Sequence, residues 1–173
     1  MSALGSTGVP SIDATFSLID EAGRMVDEMS VRGKYTLIFF GFTHCRVVCP
    51  RALGKLTRVL DRLGPLAGKV QPLYITVDPE RDTPDVLRAF LKEHYPRFIG
   101  LTGSREQIDR AKRAFRVFAQ RRDAGAGDYV IPHTAITYVL DPAGRFIDHW
   151  PDSLDEDTLV MRLGTRLSPP SQL

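Results

Sequence analysis

The sequence predicts an α/β fold: a central mixed sheet flanked by helices on both faces, with an N-terminal hairpin. Three observations point there. Residues 35–42 (YTLIFFGF) and 70–77 (VQPLYITV) are near-continuous apolar runs, the pattern of strands buried on both faces. Between them, leucines recur at helical spacing. Late in the chain, residues 135–140 and 146–150 read as strands joined by Asp141-Pro-Ala-Gly144, a tight turn that adds an antiparallel pair to the sheet.

The elements follow in order. Residues 16–20 and 25–26 form the first hairpin, with its Gly in the turn 21–24. After Pro50, the residues Leu53, Leu56, Leu60 and Leu63 line one face of a helix that Gly64-Pro65 stops. Thr83 caps the next helix, with Pro84 at its first position and Val86, Leu87, Phe90 and Leu91 turned inward. Residues 98–101 are a short strand. Ser104 and Gln107 make a capping box for a helix carrying Ile108, Ala111, Phe115 and Phe118 on one face. Residues 123–128 (DAGAGD) read as a flexible loop. Ser153 and Glu156 cap a last helix bearing Leu159, Val160, Leu163 and Leu167.

A chain of 173 residues suits one domain that buries about two thirds of its unfolded surface. Its 43% hydrophobic and 25% charged residues are those of an ordinary globular protein. The formal charge of +2 is too small to argue for nucleic acid or an anionic membrane surface as partner. Basic residues are scattered apart from Arg121-Arg122, which this reading places at a helix end, where cations suit the macrodipole. No stretch approaches the ~20 apolar residues of a membrane span. Residues 1–10 (MSALGSTGVP) lack the basic start and apolar core of a signal peptide. Residues 1–12 therefore read as a flexible segment of the kind left after removal of a membrane anchor, 13–168 as the domain, and 169–173 as a flexible tail.

The chain has two cysteines, both in residues 41–50 (GFTHCRVVCP), between a buried strand and its helix. That placement narrows the α/β expectation to a thioredoxin-like fold. It sets Cys45 and Cys49 at the carboxyl end of a central strand, where open α/β sheets bind ligands. Cys49 precedes Pro50 at the helix start, where the macrodipole favours thiolate. The pair reads as reactive: a disulfide, a redox couple or part of a metal site. His133, in residues 128–141 (DYVIPHTAITYVLD), stands before a buried strand whose entry lies beside the cysteine loop. Two thiolates and an imidazole make a soft site suited to Cu(I) and able to hold Cu(II); zinc more often wants a fourth protein ligand. On the residues alone, a turn histidine bonded to backbone is the simpler reading of His133. His44 points away from the sulfurs, His94 ends a helix, and His149 packs beside Trp150. Phe42 closes the core. Asp78, on the same rim as the cysteines, either orients a ligand, meets a partner or serves the turn; Asp82 and Thr83 read as turn and cap residues.

GFTHCRVVCP, followed by TVDPERDTP, RFIGLTG and DYVIPHTAITYVLDPAGRF, resembles the Sco (SenC/PrrC) family of copper-binding thioredoxin-like proteins, from about Phe16 to the last helix. The resemblance implies Cys45, Cys49 and His133 as copper ligands. It implies a metallochaperone that delivers copper to, or reduces the thiols of, the dinuclear copper site of cytochrome c oxidase. The implied partners are the oxidase subunit bearing that site and a copper donor protein or thiol reductant. Family members are usually anchored by one N-terminal helix and face the periplasm or the mitochondrial intermembrane space; a monomer is expected. The family usually has Pro-Asp after its first cysteine and Asp before the histidine, where this chain has Arg46-Val47 and Pro132. These changes remove acids beside the metal and add a cation, which favours thiolate exchange. The alternative function is therefore a thiol–disulfide oxidoreductase using Cys45 and Cys49.

Overall fold

A computed structural model describes residues 11–169; the expectations for 1–10 and 170–173 lie outside the described residues. The chain runs β1 (Ser17–Asp20), β2 (Met25–Asp27), β3 (Tyr35–Gly41), α1 (Val48–Arg62), a 3-10 segment (Gly64–Lys69), β4 (Val70–Thr76), α2 (Pro84–His94), β5 (Ile99–Thr102), α3 (Arg105–Phe115), β6 (Arg122–Gly125), β7 (Asp128–Val130), β8 (Ile136–Leu140), β9 (Phe146–Pro151) and α4 (Glu156–Leu167).

Seven strands form one mixed sheet in the order β2-β1-β5-β4-β3-β8-β9. β3, β4 and β5 are parallel, and β8 returns antiparallel to β3. The apolar run of β3 divides by side-chain alternation. Leu37 and Phe39 join the core under α1, α2 and α4; Ile38 and Phe40 join the core under α3 and the N-terminal strand. This is the thioredoxin-like arrangement, with both faces covered.

Local chemistry explains the departures from expectation. α1 begins at Val48, ahead of Pro50, which takes the third helical position, where its missing N–H has no intrahelical partner to lose. Val86 is exposed, because Leu87 and Leu91, four residues apart, are the line that faces the core. Arg116 takes a left-handed conformation (φ 54°) and closes α3 at Phe115, so Phe118 leaves the apolar face and is 57% exposed. Arg121 and Arg122 consequently do not end a helix; Arg122 opens β6. Residues 123–128 are not a loop but the core of a hairpin between β6 and β7, turned by Gly125, Ala126 and Gly127, all at positive φ. The cap of α4 is Asp155, which accepts from the Thr158 N–H at 2.8 Å, rather than Ser153; Glu156 instead pairs with Arg58 at 2.5 Å.

Candidate metal centre

The centre lies where β3 ends. Gly41 is its last residue, the loop turns at Phe42, whose carbonyl accepts the Cys45 N–H at 3.0 Å, and α1 carries Cys49 in its first turn. The loop is held from the next strand. Asp82, buried after β4, accepts the Thr43 N–H (3.0 Å), the Thr43 hydroxyl (2.6 Å) and the Thr76 hydroxyl (2.7 Å). Burial raises the Asp82 pKa, and the Thr43 and Thr76 bonds oppose that rise. Asp82 is therefore more than the turn residue expected. It ties the cysteine loop to β4, and no spacing in the sequence signals that bond.

His133 arrives on a second arm. Residues 118–120 pair with 132–134 through an antiparallel bridge between Ala119 and His133 and bonds from Thr134 N–H to Phe118 O (2.9 Å) and Gln120 N–H to Pro132 O (3.2 Å). The β6–β7 hairpin is clamped to the body at Tyr129. Its hydroxyl donates to fully buried Asp78 at 2.7 Å, and the Arg81 and Arg121 guanidiniums each lie over its ring, 3.7 Å from the centroid. Arg81 also pairs with Asp78, with Asp128 at 3.1 Å, and donates to the Tyr129 carbonyl at 3.3 Å. Asp78 is thus an anchor for the histidine arm, two residues after the strand that positions it.

The His133 Nδ1 lies 3.0 Å from the Ile131 carbonyl. A carbonyl only accepts, so Nδ1 carries a proton there, and Nε2 is the nitrogen turned to the sulfurs. Nε2 stands 3.6 Å from Cys49 Sγ, with Phe42 and Phe39 edge-on to the imidazole at 5.5 and 6.4 Å. The ligand atoms of Cys45, Cys49 and His133 all lie within 4.8 Å of one another. Sulfur and imidazole ligands sit roughly 2.0–2.3 Å from a metal, so a trigonal set spans roughly 3.5–4 Å. The three side chains need close by only fractions of an ångström to share one ion.

The two sulfurs differ sharply. Cys49 is fully buried and Cys45 half-buried. The Cys49 thiol bonds toward Cys45 and lowers its pKa to about 5, assisted by loop N–H groups and His133 and opposed by burial. The same bond, then burial, pushes Cys49 up. The helix-start argument favoured thiolate at Cys49; the bond between the two sulfurs and the burial of Cys49 instead favour it at Cys45. An open cavity of about 810 Å³ leads to Cys45, lined by apolar Phe42, Val47, Val130 and Pro132 and by Arg46 and Arg81. The bond preceding Pro132 is trans.

The other histidines stay apart from this centre. His44 is exposed, with Nδ1 3.3 Å from the Thr43 hydroxyl; His94 ends α2 against Phe90; His149 stacks on Phe146. Phe42 closes the core as expected and also packs on the His133 ring.

A family model described as SCO1/SenC matches residues 5–168. The chain belongs to that family. Among SCO1/SenC relatives, the mitochondrial protein SCO1 homolog 1 of Arabidopsis thaliana is 38% identical over 156 residues, 90% of this chain and 47% of that protein. The mitochondrial SCO1 homolog of Homo sapiens is 34% identical over 165 residues, 94% of this chain and 55% of that protein. The chain thus spans about half the length of these relatives. The structure of Bradyrhizobium japonicum ScoI with copper bound matches with a TM-score of 0.82 and 37% identity, covering 90% of this chain and 99% of that one.

Proposed function

We propose that this SCO1/SenC protein is a copper metallochaperone whose cargo is held by Cys45, Cys49 and His133. The observation that carries the reading is the convergence of two sulfurs and an oriented imidazole within 4.8 Å, at the end of an open cavity. The donor set supports copper over zinc: two thiolates and one imidazole suit Cu(I), whereas structural zinc takes four protein ligands. A solved relative with copper bound adds to the case. The ligands divide the work. Cys49, buried and backed by α1, and His133, fixed through Ile131, form the stationary side. Cys45, half-exposed at the cavity, is the ligand an incoming partner thiolate displaces first.

The acceptor in this reading is the dinuclear copper site of cytochrome c oxidase, with the subunit bearing that site as partner, and loading comes from a copper donor protein. The compartment is the periplasm, with the protein tethered to the inner membrane, or the mitochondrial intermembrane space. Among the described residues no helix is long and apolar enough to cross a membrane, so an anchor would lie outside them. The protein acts as a monomer.

A second reading, a thiol–disulfide reductase, is favoured by one observation: Cys45 is accessible and held near pKa 5 while Cys49 is buried behind it. This is the division between attacking and resolving thiols. The test is a Cu(I) titration of fully reduced protein against a competing chelator, alongside His133→Ala. One tightly bound ion per chain, lost in the variant, supports copper carriage. Weak binding, or binding indifferent to His133, rejects the three-ligand site and leaves disulfide reduction as the function to assay.

A further inference from the structure

Tyr74, in β4, is fully buried, and its ring packs against Phe90 of α2 at 6.0 Å. Among the described residues its hydroxyl has no hydrogen-bond partner. A buried, unpaired hydroxyl is unfavourable, and a phenylalanine would fill the same core space without it. The position of the hydroxyl supplies the reason. A Cβ built on Gly41 would stand 2.5 Å from Cys49 Sγ and 2.8 Å from Tyr74 Oη. Both atoms therefore converge on one bare patch of β3 backbone, and a side chain at position 41 would drive them apart. The Cys49 sulfur lies 3.6 Å from His133 Nε2 and shares the space beside Gly41 with the phenol.

We propose that Tyr74 is a positioning residue for the metal centre: its hydroxyl is a hydrogen-bond donor reserved for the Cys49 sulfur when that sulfur holds copper, and Gly41 keeps the approach open. The proposal rests on the copper reading above and extends it to a residue that does not touch the metal. As a thiol, Cys49 directs its own proton toward Cys45 or His133, and the phenol stays unpaired. As a bound thiolate, Cys49 only accepts, and the O–H beside it has a partner. Such a bond draws electron density from sulfur, raising the energy of thiolate-to-copper charge transfer.

The test compares the full chain with Tyr74→Phe in two ways. With Cu(II) added, the charge-transfer band of the variant moves to lower energy. Without metal, in a dithiothreitol redox buffer, the Cys45–Cys49 disulfide equilibrium stays within about twofold of the parent, because the phenol is then unpaired. Superimposable bands, or a metal-free equilibrium changed about tenfold, overturn the proposal. If the parent shows no thiolate-to-copper band, the copper reading fails and this proposal falls with it; a parent band that the variant leaves unmoved overturns this proposal alone. Should Tyr74→Phe fold poorly, 3-fluorotyrosine placed at position 74 keeps the shape and is a stronger donor. It then moves the band to higher energy, and an unmoved band overturns the proposal.

Discussion

The two arms of the metal centre are built differently. The cysteine arm grows out of β3 and runs into α1, so backbone hydrogen bonds and a buried core place Cys45 and Cys49. The histidine arm has little regular structure behind it. A two-stranded hairpin and one bridge carry His133, and the Asp78–Arg81–Tyr129 cluster clamps it. Both arms are nonetheless tied to one short segment after β4, since Asp82 holds the first and Asp78 the second. The comparison teaches that sulfur geometry here is a property of the sheet, whereas imidazole geometry depends on a few side-chain bonds that can be cut one at a time.

The largest expected effect lies within the cysteine arm. With the Cys45 pKa lowered to about 5 from the ordinary 9.0 and that of Cys49 raised, Cys45 should be the reactive thiolate at pH 7. In the metal-free protein, iodoacetamide should modify Cys45 with a half-maximal rate near pH 5 and leave Cys49 untouched, as read by peptide mass mapping. Preferential labelling of Cys49 would reverse the assignment. Because the folded Cys45 pKa is depressed, its contribution to stability is lost as pH falls through about 5, and the raised Cys49 pKa opposes it above the unfolded value of 9.0.

Asp82→Ala comes next. It strips a buried acceptor from Thr43 and Thr76 and should cost about 3 kcal/mol, a fall in Tm of roughly 6–12 °C for a chain of this size. A change under about 1 kcal/mol would mean the loop is held by the strand alone. Tyr129→Phe should cost less, about 1–2 kcal/mol, because it leaves one acceptor on Asp78 while Arg81 remains. Its effect should be confined to one arm: faster amide exchange in residues 119–134 and Cu(I) binding weakened by about tenfold, with exchange at residues 41–49 unchanged. Equal loosening of both arms would dissolve the distinction. Arg121→Ala, which removes one stacked guanidinium, should cost about 0.5–1 kcal/mol and change copper affinity less than threefold.

Much of this molecule is legible in its sequence. The apolar runs of β3 and β4, the Thr83 cap with Pro84, the Ser104–Gln107 box and the Asp141–Gly144 turn each announce an element through local chemistry, and each stands where expected. Expectations failed where a local signal met a longer-range competitor. Phe118 has the right spacing for the α3 face, but the left-handed turn at Arg116 ends the helix first. The glycines of 123–128 allow flexibility, yet stacking at Tyr129 recruits that segment into a hairpin.

By itself the sequence determined the layered α/β architecture and the placement of two thiols at the end of a buried strand, because hydrophobic periodicity and turn chemistry act between near neighbours along the chain. The tertiary structure alone decided which sulfur is buried and which faces the cavity, which aspartate holds which arm and what stands beside Cys49. Those outcomes depend on burial and on contacts such as Thr43 with Asp82, Asp78 with Tyr129 and Gly41 with Tyr74, between residues that only the folded sheet brings together.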